Sequence, residues 1–189
     1  MKIRDFLKKW RLPLGLVFVV LAMASAGCPI PTPPETAAFV DVEQYMGLWY
    51  EVASFPQLFQ QGLVGVTAEY TLEDDGRVRV VNRGLRNTLD GEAASIEGYA
   101  TVVDDVTNAK LRVQFDPFPV SFFPGDYWII EVGDEYEYAV VSGPTRQTLW
   151  ILSRSPAMDD VLYDSIVAGL EADGFETERL VLTPQDTAE

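Results

Sequence analysis

Tyr45-Met46-Gly47-Leu48-Trp49-Tyr50-Glu51-Val52 decides the fold, because a turn-like segment, a glycine and an indole stand where the first run of strand-forming residues begins. The stretch also sets a direction. Short apolar runs follow one another from here to Trp150-Ile151-Leu152-Ser153-Arg154, and only then does a helical pattern start.

Between these two points the pattern has period two. Leu111, Val113 and Phe115 alternate with Lys110, Arg112, Gln114 and Asp116, and Val78 and Val80 alternate with Arg77 and Arg79. Each such run turns one apolar face inward and one charged face to water. Turn-forming clusters separate the runs: Asp74-Asp75-Gly76, Asp90-Gly91, Asp104-Asp105, Gly133-Asp134 and Ser142-Gly143-Pro144. The runs between them predict eight strands, at 48–55, 64–72, 77–84, 95–103, 110–115, 127–132, 136–142 and 148–153. Sequential strands with short turns form an up-and-down antiparallel meander, whose edges are best removed by closure. The expected fold is all-β, an eight-stranded barrel, with a sandwich as the alternative. Eight strands enclose room for side chains or for one small ligand. Two connections are longer, 56–63 with Phe59 and 116–125 with Phe118, Phe122 and Phe123. They either cover an opening or fold their phenylalanines onto the rim.

After the last strand, Ser155-Pro156 reads as a helix start, an oxygen cap followed by a proline at the first helical position. Met158, Leu162, Ile166 and Leu170 give one apolar stripe, and Gly174 ends it. The stripe is expected to pack on the outside of the barrel. Residues 175–182 can add a final strand, and 184–189 read as a flexible tail.

The N-terminus speaks for export. Five basic residues precede an apolar run from Leu12 to about Ala26 and then Gly27-Cys28, so residues 1–27 read as a signal peptide. An uncleaved anchoring helix is the alternative, although the run is short of the roughly 20 residues a span needs. Ser25-Ala26-Gly27-Cys28 resembles the lipobox of bacterial lipoproteins, which implies acylation at Cys28, the single cysteine. Pro29 in the next position points, by the same resemblance, to the outer membrane. Residues 28–40 are rich in proline and read as a tether that holds a domain of residues 41–183 away from the bilayer.

Composition excludes several functions. Removing residues 1–27 leaves 9 lysines and arginines against 28 acids, so nucleic acid is not an expected partner. The chain has no histidine, and with Cys28 acylated no imidazole or thiolate remains for zinc, copper or haem, nor for a histidine-dependent triad. No cofactor and no metal are expected. The carboxylate pairs Asp74-Asp75, Asp104-Asp105 and Asp159-Asp160 lie in turn signals or a first helical turn, and structure explains them first. A phosphate-cradling glycine loop and a Gly-x-Ser-x-Gly elbow are both missing.

Gly47-Leu48-Trp49-Tyr50 resembles the first signature of the lipocalins, Val132-Gly133-Asp134-Glu135-Tyr136 a degenerate second, and Ser153-Arg154 the third. Ile96-Glu97-Gly98-Tyr99-Ala100-Thr101, Tyr127-Trp128-Ile129-Ile130 and Trp150 to Pro156 are similar to the branch that holds bacterial outer-membrane lipocalins and apolipoprotein D. The resemblance implies that Gly47, Trp49 and Arg154 close the narrow end, with the guanidinium across the indole. It implies a ligand site at the wide end, with Trp150 as a pocket wall and fatty acids or lysophospholipids as ligands. Counting back by twos from Arg154 puts Leu152 and Trp150 inward. Alternation adds Phe115, Val113, Tyr70 and Tyr99, and Phe59 and Phe123 stand where they could close the mouth. The expected function is lipid binding, storage or transport by an anchored, periplasm-facing protein that is not an enzyme. A lipocalin-type isomerase or de-epoxidase and a filled structural barrel are the alternatives. Monomer and homodimer are both open.

Overall fold

The computed structural model describes residues 32–116 and 124–187. A single-turn helix, α1 (Val42–Tyr45), leads into β1 (Gly47–Ser54). Then come β2 (Leu63–Leu72), β3 (Val78–Arg86), β4 (Ala93–Val102), β5 (Lys110–Asp116), β6 (Gly125–Val132), β7 (Tyr138–Ser142) and β8 (Leu149–Ser153). Helix α2 (Asp160–Ala172) and a two-residue strand, β9 (Val181–Leu182), complete the chain. Every pairing is antiparallel and sequential from β2 to β8, and β1 pairs with both β8 and β2, which closes the barrel. Closure gives each of β1 to β8 a partner on both sides over part or all of its length.

Alternation divides the core in two. On β8, Leu152 joins Trp49, Tyr70, Val80, Val113 and Ile129 inside the barrel, with the partly buried Trp150 packed against them. Leu149 and Ile151 point the other way and meet Phe55, Val140 and, from α2, Ile166 and Leu170. The helix therefore covers the outside, as its stripe requires. It begins later than Ser155-Pro156. Asp159 is the N-cap, with its carboxylate accepting from Val161 N at 3.0 Å and Leu162 N at 3.1 Å. Ser155 instead closes a local turn onto Ala157 N, so its oxygen is spent before the helix starts. Replacing Asp159 by Ala is expected to cost about 1 kcal/mol, read as a lower urea midpoint with an unchanged slope.

Two segments expected to be loose are docked. Thr32 to Val40 run against the barrel: Pro34 is buried, Ala37 N donates to Ile129 O (3.0 Å) and Val40 N to Thr107 O (2.7 Å). Residues 32–40, read from the sequence as part of a tether, are thus held against the barrel. At the other terminus, Gly65 N donates to Pro184 O (2.7 Å), and the Gln185 amide donates to Glu51 O and Val66 O, both at 2.8 Å. The register explains this second case. β1 and β2 pair only from Gly47↔Tyr70 to Tyr50↔Thr67, and beyond that they part, leaving backbone groups for the C-terminal segment to satisfy.

Candidate ligand cavity

The closed end is built around one indole. Trp49 is fully buried, its Nε1 donates to Tyr45 O at 2.9 Å, and the Arg154 guanidinium carbon lies 3.8 Å from its ring centroid. Arg154 spreads its donors over three carbonyls: Leu48 O (2.9 Å), Gln44 O (2.7 Å) and Tyr136 O (3.3 Å). Gly47 makes the approach possible. Its φ is +97°, and a Cβ there would stand 3.3 Å from Arg154 Nη1. Tyr136, in the turn between β6 and β7, completes the seal by accepting at its hydroxyl from Asp41 N (2.7 Å).

Above this floor the barrel encloses a cavity of about 700 Å³, within the range of small-molecule sites. Tyr70 and Tyr127 form its base. The Tyr127 hydroxyl lies 2.8 Å from that of Tyr45 and 2.9 Å from that of Tyr70. Either hydroxyl can donate in each bond, and three hydroxyls joined by two hydrogen bonds leave one O–H unspent. Burial pushes Tyr70 up to about 12 and Tyr45 and Tyr127 well above the ordinary phenol range. The unfolded chain ionises its tyrosines near pH 10. Stability contributed by neutral Tyr70 is therefore whole below pH 10 and lost as pH rises toward 12, at up to ~1.4 kcal/mol per pH unit. Urea midpoints at pH 9, 10, 11 and 12 check this, alongside a delayed 295-nm phenolate rise in the folded protein.

The walls hold Trp150, Leu152, Phe115 and Val113, and Phe59 stands at the mouth. Tyr99 does not belong with them. It pairs with Arg79 and Gln114 on the outer face, under the Arg77 guanidinium at 4.3 Å, while its neighbours Gly98 and Ala100 point inward. At Gly98 the backbone of β5 approaches too closely for a side chain, since a Cβ there would stand 2.2 Å from the Gln114 main-chain oxygen. Phe123 and Cys28 lie outside the described residues.

Three polar wall residues go beyond those read from the sequence. Glu51 is buried and accepts from Gln60 Nε2 (2.7 Å), Ser54 Oγ (3.0 Å) and Thr183 Oγ1 (2.6 Å). Gln60, in the 3-10 turn Leu58–Gln60, in turn accepts from Trp150 Nε1 at 3.1 Å, which ties the loop to the wall. Asn82 follows Val78 and Val80 on the inward face of β3, and its buried Oδ1 has no partner among the described residues. Parity could have found all but Gln60. Glu51 is two residues from Trp49, and Asn82 two from Val80.

A closed antiparallel barrel with a sealed floor, an apolar cup and an outer helix defines a barrel that can hold one hydrophobic ligand. Residues 40–185 match the family described as a lipocalin-like domain, and the chain belongs to the lipocalins. It is 38% identical over 173 residues to the outer membrane lipoprotein Blc of Citrobacter freundii, covering 90% of this chain and 95% of that one. It is 39% identical over 156 residues to temperature-induced lipocalin-1 of Arabidopsis thaliana, covering 80% and 82%. With apolipoprotein D of Bos taurus the identity is 33% over 162 residues, 82% of each chain. Among solved structures, insecticyanin from the tobacco hornworm superposes with a TM-score of 0.65 at 18% identity, covering 83% of this chain and 86% of that one, which speaks for the fold.

Proposed function

We propose that this lipocalin binds and stores or transports a fatty acid or lysophospholipid in the cell envelope, as a binder rather than a catalyst. The observation that carries the reading is the cup itself: about 700 Å³, apolar along Leu152, Phe115, Val113 and Trp150, and closed below by Tyr70 and Tyr127. Such a site gains its affinity from buried methylenes, with few polar anchors. The envelope location rests on the lipobox-like Ser25-Ala26-Gly27-Cys28 and on relatives named outer membrane lipoproteins. Acylation at Cys28 anchors the chain to the outer membrane on its periplasmic side.

Titration with saturated fatty acids of increasing length, followed by tryptophan fluorescence, tests the ligand class. Each added methylene is worth about 0.8 kcal/mol, close to four-fold in Kd, until the chain reaches the tyrosine floor and the gain stops. Affinity that ignores chain length, together with an empty protein in native mass spectra, overturns the reading. Conversion of the ligand during the titration overturns the non-catalytic part. Membrane fractionation of Cys28→Ala tests the anchor, which fails if membrane retention is unchanged.

A further inference from the structure

The described chain begins at the mouth of the cup. Thr32 O accepts from Arg146 Nε at 2.8 Å, and Arg146 belongs to the turn between β7 and β8, where Gly143, Pro144, Thr145 and Thr148 border the cavity opening. Arg146 is itself held. Its Nη1 donates to Asp173 O (2.7 Å) at the end of α2, and its guanidinium carbon lies 4.7 Å from the Phe175 ring centroid. From Thr32 the chain descends the outside of the barrel to Val40 at the closed end.

Chain length then restricts the anchor. Cys28 is four residues before Thr32, a reach of at most ~14 Å. The ten residues of β2, tilted as barrel strands are, give the barrel a height of roughly 25 Å. An anchor at Cys28 falls short of the closed end.

Charge is divided along the same axis. The closed-end turns 73–77, 103–109 and 133–137 carry eight acids against one arginine, Arg77. The described open-end loops 55–62, 87–92 and 143–148 carry two acids, Asp90 and Glu92, against Arg146, and the connection 173–180 after α2 adds Asp173, Glu176 and Glu178 against Arg179. The loop from Phe55 to Gly62 has no charged residue, and Leu58 and Phe59 are 94% and 69% exposed there. Val106 is exposed at the closed end, but next to Asp104 and Asp105. An anionic bilayer repels the closed end, with its three acidic turns, more strongly than the open end, where the uncharged loop 55–62 stands.

We infer that the open rim of the barrel is a membrane-facing surface, with a phospholipid bilayer as its partner and Leu58 and Phe59 as its contact. The inference rests on the proposed anchor at Cys28 and deepens the proposed function: the cup exchanges lipid with the bilayer at the rim itself. Arg146 is the positioning residue, because it fixes the rim as the place where the tether leaves.

Full-length acylated protein, reconstituted in phosphatidylethanolamine–phosphatidylglycerol vesicles, tests this with spin labels on Leu58→Cys and on Val106→Cys, Cys28 being blocked by its acyl chains. The label at 58 is expected to lose at least three-fold of its collision rate with a water-soluble nickel chelate on reconstitution, and the label at 106 to keep its rate. In an Arg146→Ala background the protection at 58 falls by half or more, with fatty-acid affinity unchanged. A label at 106 that is protected as much as one at 58, or a label at 58 that stays fully accessible, overturns the orientation. Failure of the protein to float with the vesicles overturns the anchor on which it rests.

Discussion

Trp49→Ala is expected to lose about 3–5 kcal/mol of stability, the range for a large aromatic removed from a fully packed site. The loss is larger than one ring's burial because other groups depend on the indole. Tyr45 packs against it with ring centroids 5.0 Å apart, and Arg154 stacks on its other neighbourhood at 3.8 Å. The cation–π term adds about 0.5–2 kcal/mol on its own. Without the ring the guanidinium is left over a cavity while still bound to three carbonyls. Arg154→Lys makes the complementary case, since one ammonium cannot repeat a planar fork that reaches Leu48, Gln44 and Tyr136 together. Gly47→Ala tests the approach, because it combines strain at φ +97° with pressure on Nη1. Urea denaturation of the three variants measures the effect. A loss below 1 kcal/mol for Trp49→Ala removes the indole from its place as the keystone of the floor.

That floor was legible in the sequence because its parts are local phrases. Gly47-Leu48-Trp49 and Ser153-Arg154 are short, chemically distinctive, and far enough apart to bracket eight strands. The strands were legible for a similar reason, since alternation such as Leu111, Val113 and Phe115 is written within each one. What alternation lacks is an absolute sign. Tyr99 is large and aromatic, yet its register opposite Arg79 and Gln114 sends it outward, while the small Gly98 takes the inward place against β5. Burial follows pairing there, not hydrophobicity. The helix start was missed because Ser155-Pro156 and Asp159 both carry capping chemistry, and tertiary geometry chose the later one. Parity reaches Glu51 and Asn82 but not the contacts that the polar wall makes. Glu51 meets Thr183 across 132 residues and Trp150 meets Gln60 across 90, so no local pattern announces either contact.

Deleting every residue after Leu182 is expected to cost about 3 kcal/mol and to weaken fatty-acid binding at least ten-fold. Past Tyr50 the barrel wall is incomplete, and Thr183, Pro184 and Gln185 fill the gap between β1 and β2. Thr183 N donates to Val52 O (2.9 Å), Thr183 Oγ1 to Glu51 Oε1 (2.6 Å), and Gln185 Nε2 spans Glu51 O and Val66 O like a missing rung. With Gly65 N on Pro184 O, five hydrogen bonds go at a net ~0.5–1.5 kcal/mol each, offset where water takes over a backbone group. Binding suffers through Glu51. Opening the seam removes one of its three side-chain donors and admits water beside the carboxylate, so the Glu51–Gln60–Trp150 tie that holds the loop over the cup slackens. Gln185→Ala separates the two effects. It removes the rung but leaves Thr183 on Glu51, so it lowers the urea midpoint with little change in ligand affinity, whereas Thr183→Val weakens binding more than it destabilises. Equal proportional losses in both variants would mean that the tail acts on the whole barrel and not through the carboxylate at its wall.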